Sequence, residues 1–137
     1  MPTPSSFDFA TIRVVPRVDR EEFVNVGVIV FCLEQKFLRA RVQLDETRLK
    51  ALWPDLDVAL IRQHLDAFVD ICAGKKEAGP IAQLSVRERF HWLVAPRSTV
   101  IQCSPVHSGI CAAPEKVLDE VFVRMVGGGK PGFRGRG

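Results

Sequence analysis

The sequence predicts an α+β fold: a mostly antiparallel sheet of about four strands, packed by two or three helices. Two observations carry this. Runs rich in β-branched and aromatic residues gather before Asp45, and helical periodicity takes over after it. No segment repeats, and 137 residues are enough to bury a core without disulfides or a metal. The expected layout is a flexible N-terminus over 1–6, one domain over 7–126, and a disordered basic glycine-rich tail over 127–137.

Residues 7–15, FDFATIRVV, have strand composition and stop at Pro16. PRVDREE is a polar connection. Residues 23–32, FVNVGVIVFC, form the longest β-branched run, and both faces read as apolar: Phe23, Ile29 and Phe31 on one, Val24, Val26, Val28, Val30 and Cys32 on the other. A strand without a polar face is covered on both sides, so it is placed centrally. Glu34, Gln35 and Lys36 suit a hairpin loop. In the next strand Leu38, Ala40, Val42 and Leu44 alternate with Arg39, Arg41 and Gln43, which gives one wet face.

DETRLKALW then reads as a short helix stopped by Pro54. Asp55 or Asp57 caps a longer helix in which Val58, Ile61, Leu65, Phe68, Val69 and Cys72 share a face. Gly74 terminates it, with Lys75 and Lys76 at the negative end. Ser85 with Glu88 matches a capping box over 86–94, although RFHWLV also suits a strand. STVIQ, between Pro96 and Pro105, is a short strand. Pro114 opens a last helix lined by Val117, Leu118, Val121, Phe122 and Met125, and Gly127 ends it.

The net charge of +3 belongs to the tail. Removing Lys130, Arg134 and Arg136 from the 19 Lys and Arg leaves 16, against 16 acidic residues. A neutral body does not suit nucleic acid, and three tail charges give only weak, salt-sensitive contact. No run of 18 apolar residues suggests a membrane span, and MPTPSSFDFA lacks the pattern of a secretory signal, so a cytoplasmic protein is expected. The four cysteines form no CxxC pair and read as small hydrophobes in a reducing compartment.

IRVVPRVDREEFVNVGVIVFC at 12–32 and RERFHWLVAPRSTVIQCSPVHSG at 87–109 together resemble a bacterial family known as domain of unknown function 3037. The likeness runs from about Phe7 to Val126. It implies a small stand-alone bacterial protein without an established activity. Some members are encoded beside HipA-like toxin kinases, which implies a protein partner rather than a reaction. The family pattern features the Ser-Pro-Val-His run but not Cys103 or Cys111.

Asn25 and Gly27 interrupt the central strand. Two residues apart on a regular strand, they point to one face, so Gly27 leaves a notch beside the Asn25 amide. In one reading Gly27 marks a bulge or admits a helix while Asn25 ties down a loop. In the other, the notch floors a polar pocket rimmed by Arg97, Ser98, Ser104 and His107, with Arg13 and Arg17 joining from the first strand. Guanidinium and hydroxyl donors match phosphate or carboxylate oxygen. Structural use of the same groups, with Arg97 paired to Glu22 or another acid and the serines capping turns around Pro105, is the competing reading. Cys103, His107 and Cys111 have C-x3-H-x3-C spacing, but Pro105 and Gly109 break the helix a zinc site would need. No metal or cofactor is expected. Ser104 and His107 lack an orienting acid, and no Walker loop, GxGxxG or HExxH occurs. The function expected is a non-enzymatic protein-interaction or regulatory module, with a protein partner or a second copy. The alternative is a small enzyme or sensor binding a phosphorylated or carboxylated ligand.

Overall fold

The structure, a computed structural model, describes residues 4–17, 22–97 and 99–127. Five strands form an open antiparallel sheet with α-helices on both faces. The strands are β1 (Ser5–Val14), β2 (Val24–Cys32), β3 (Phe37–Val42), β4 (Ile101–Cys103) and β5 (His107–Cys111). β3, β2 and β1 lie side by side, and the outer edge of β1 carries β4 and β5 end to end. The helices are α1 (Glu46–Leu52), α2 (Val58–Ala73), α3 (Val86–Val94) and α4 (Pro114–Phe122).

Local signals set the helix ends. Asp45 and Asp57 accept hydrogen bonds from the Arg48 and Leu60 amides, which start α1 and α2. Gly74, at φ 71°, closes α2 in the left-handed conformation. Ser85 and Glu88 form the reciprocal capping box, so 86–94 is a helix and not a strand. Two 3-10 turns, Lys76–Ala78 and Pro80–Gln83, join α2 to α3, and a π-helical turn over Val123–Gly127 follows α4.

Helices α1, α2 and α3 cover one face of the sheet, packing Leu49, Ile61, Leu65 and Phe90 on Ala10, Ile12, Ile29 and Phe31. The other face packs Val28 and Val30 against Leu118, Val121 and Phe122 of α4. β2 is therefore covered on both faces and lies between two strands, as its composition requires.

The structure differs from the sequence reading in four places. β1 begins at Ser5, earlier than residue 7, and Ser5 is buried. The strand expected within STVIQ lies at Ile101–Cys103, because that stretch pairs with Ile12–Val14. His107, read as part of a pocket rim between prolines, opens a strand over His107–Cys111 that pairs with Ser5–Phe9. The faces of β2 are also divided differently, for a reason developed below. The expected tail from 128 onward lies outside the described residues.

Candidate functional site

Gly27 and Asn25 mark a β-bulge. Ile12 pairs with Gly27 but Arg13 pairs with Asn25, so Val26 is the extra residue in β2. A bulge reverses the alternation of side chains beyond it. Val24 and Val26 thus join Ile29 and Phe31 in the core under α1–α3, while Val28 and Val30 turn to α4. Asn25 and Gly27 consequently face opposite ways, which corrects the shared notch. The Asn25 Nδ2 donates to the Met125 carbonyl at 3.1 Å, tying the turn after α4 to the sheet. A Cβ on Gly27 would meet Val42 Cγ1 and Ile12 Cδ1, both on the other side. The space beside Gly27 is filled by protein.

Ser104 sits at a second irregularity. Between the pairs Ile12–Cys103 and Phe9–His107, β1 has two residues, Ala10 and Thr11, while the opposite chain has three. Pro105 has no N–H to give the ladder. The Ser104 hydroxyl bridges the gap: it accepts from the Thr11 amide at 2.9 Å and donates to the Pro105 carbonyl at 2.8 Å. The Ser104 amide donates to the Thr11 carbonyl at 2.9 Å. This buried hydroxyl is a joint between two strands, with its bonds made inside the protein. Beyond it, His107 is exposed, and its ring packs on Phe9 with centroids 5.2 Å apart.

Arg97 follows the turn after α3. Its guanidinium lies over the Trp92 indole, 4.6 Å from the ring centre, and donates to the Trp92 carbonyl. It does not pair with Glu22 among the described bonds. Arg97 and Ser104 do line one shallow depression together, with His91, Pro96 and Val106. Arg13 stacks on Phe23 at 3.9 Å, and Arg17 lines a different depression with Glu22, Phe23 and Trp53. Ser98 lies outside the described residues. Arg97, His107 and Asn25 are therefore not gathered around one point. Arg97 borders the α1–α3 side, while His107 and Asn25 contact groups of the α4 side.

Two of the thiols are held in their neutral form. Burial pushes the Cys72 thiol up to about 12, with Cys103 adding to the shift and Arg89 opposing it. Cys103 is likewise pushed up to about 12 by burial, against the pull of Arg97 and then Arg13. Among the described residues no cluster of His, Cys, Asp or Glu is arranged to hold a metal ion. None of their helices is long and apolar enough to cross a membrane.

Two features are absent from the sequence reading. Arg13 and Asn25 are cross-strand partners, and buried Thr11 lies two residues from Arg13 on the same face. Arg13 Nε, Asn25 Oδ1 and Thr11 Oγ1 have no hydrogen-bond partner among the described residues. The other feature is the outer edge of β5, which no described strand covers. Its Ile110 is 69% exposed. Alternation of Ser108 and Ile110 against His107, Gly109 and Cys111 was the available cue, but weak strand propensity hid it.

No curated protein and no solved structure matches this chain. The family described as "Protein of unknown function (DUF3037)" matches residues 9–126, which takes in the four α-helices, the β2 bulge, the Ser104 joint, the Arg97 turn and all of the sheet except the first four residues of β1. The chain belongs to the DUF3037 family.

Proposed function

We propose that this chain is a non-enzymatic protein-interaction module that works by strand pairing along β5, with a second copy of itself as the partner. The observation that carries the reading is the character of that edge. Natural edge strands are blunted by charge, proline or cover. β3, at the opposite edge, carries Arg39 and Arg41, so two copies meeting there bring like charges together. β5 reads HSGIC, without Lys, Arg, Asp or Glu.

Antiparallel pairing of β5 about Gly109 is self-complementary. Ser108 of each copy then faces Ile110 of the other, and His107 faces Cys111. Ile110 and its symmetry mate become diagonal neighbours on one face, which covers a sec-butyl group now in water. On the other face the Phe7 ring lies directly over Gly109: a Cβ there would be 2.7 Å from Phe7 Cζ. The two Phe7 rings therefore flank the two-fold axis. An isologous interface of this kind closes on itself and gives a dimer with one continuous sheet.

Sedimentation velocity tests this at protein concentrations from about 5 to 200 μM, the range of a weak to moderate dimer. The expected result is a dimer, with Ile110→Lys monomeric and Leu60→Lys, at an exposed position on α2, still dimeric. A wild type that stays monomeric throughout, or an Ile110→Lys variant that dimerises equally well, overturns the proposal.

A further inference from the structure

A crevice of about 260 Å³ opens between α2, α3 and β4. Its wall is built by helical spacing: Ala67, Phe68 and Ile71 come from one face of α2 and meet Leu93 of α3 and Ile101 of β4. The resulting interior is mainly apolar. Among the described residues that line it none is acidic, whereas Arg97 and His64 stand among them.

Arg97 is held in place before any ligand arrives. Stacking on Trp92 engages the flat face of the guanidinium, and one N–H is committed to the Trp92 carbonyl. Stacking leaves the remaining N–H groups along the edge, the geometry that meets a carboxylate two-pronged. Among the described residues no carboxylate pairs with Arg97. Arg97 borders the crevice itself, together with Trp92 and Thr99.

We propose that this crevice binds a small organic carboxylate with an apolar body, its carboxylate on Arg97 and its body against Phe68, Ile71 and Leu93. The volume sets the size class. A dry cavity of about 150 Å³ accepts benzene, so this one accommodates a single ring with a short acidic arm, an arylacetate. Inorganic phosphate lacks the apolar body and fills the space poorly. The site is separate from the β5 edge and does not depend on pairing there.

The probe is phenylacetate, and the control is phenylacetamide, which has the same shape without the charge. Trp53→Phe leaves Trp92, at the crevice wall, as the sole indole. Phenylacetate should change its fluorescence saturably with a Kd in the micromolar to low-millimolar range, as expected for about ten heavy atoms. The amide should bind about tenfold or more weakly, and phosphate should have no effect. Arg97→Gln should bring the acid down to the amide, and Ala67→Leu should weaken both. Amide-resonance shifts of the unsubstituted protein provide the same titration should Trp53→Phe unfold. Equal binding of acid and amide, a response to phosphate matching that to phenylacetate, no saturation, or an Arg97→Gln variant that keeps the full preference for the acid each overturns the proposal.

Discussion

Gly27 offers the sharpest test of the bulge. A methyl group built there lies 2.7 Å from the Arg41 carbonyl oxygen, 2.8 Å from Val42 Cγ1 and 3.2 Å from Ile12 Cδ1. A carbon and a carbonyl oxygen in ordinary contact sit about 0.5 Å or more farther apart than the first of these. Val42 can adjust its side chain, but the Arg41 carbonyl belongs to the strand paired with Val28 beside the substitution. Relief requires the β2–β3 pair to open. Overpacking of this kind costs about 1–3 kcal/mol. The loss of unfolded-state freedom on replacing glycine offsets about 0.4–1 kcal/mol of it. Gly27→Ala is therefore expected to destabilise by about 1–2 kcal/mol, and Gly27→Val by about 2–3 kcal/mol despite valine's better strand propensity. Urea titration followed by circular dichroism reads this as a lower midpoint at unchanged slope. In thermal melts each kcal/mol corresponds to about 3–5 °C for a chain of this size. Gly79→Ala separates the two ways a glycine matters: its φ is 97° and a Cβ there touches nothing within 4 Å, so only backbone strain acts. A Gly27→Ala protein as stable as wild type would refute the bulge packing described here.

Two further outcomes follow from the joint between β4 and β5 and from the buried thiols. Ser104→Ala leaves the buried Thr11 amide without an acceptor and should cost about 1–3 kcal/mol, read as a lower urea midpoint, while Ser104→Thr keeps the hydroxyl and loses less. An alanine variant within about 0.5 kcal/mol of wild type would show that the hydroxyl does not join the strands. Cys72, ordinarily near 9.0 and pushed up to about 12 by burial, should resist iodoacetamide at pH 8 in the folded protein and react in urea, whereas Cys103, likewise pushed up to about 12 but half-buried at the crevice wall, should react slowly when folded and faster in urea. Because their folded values lie above the unfolded ones, the stability linked to them is complete below about pH 9 and is lost as pH rises toward 12. Fast labelling of Cys72 in the native state, followed by peptide mapping, contradicts the burial.

What the sequence determined by itself are the features decided within one turn or one strand. Asp57, Gly74 and the Ser85–Glu88 pair satisfy backbone groups a few residues away, so their identities fix helix ends without knowledge of the rest. The apolar run over β2 likewise required cover on both faces, whatever supplied it. Tertiary structure decided the phase of that strand, because the bulge at Val26 exists only against Ile12 and Arg13 of β1. It also decided that HSGIC is a strand, since those residues have little intrinsic preference for one and gain it by pairing with Ser5–Phe9. The candidate site depended on the same information. Ser104 became a joint through a bond to Thr11, 93 positions earlier, and Asn25 became an anchor through Met125, 100 positions later. Arg97 stood out in the sequence as a candidate anion contact, but its place beside an apolar crevice comes from α2 and β4 folding against α3. Chemistry is written in residue type, whereas convergence is a long-range property that only chain pairing and packing create.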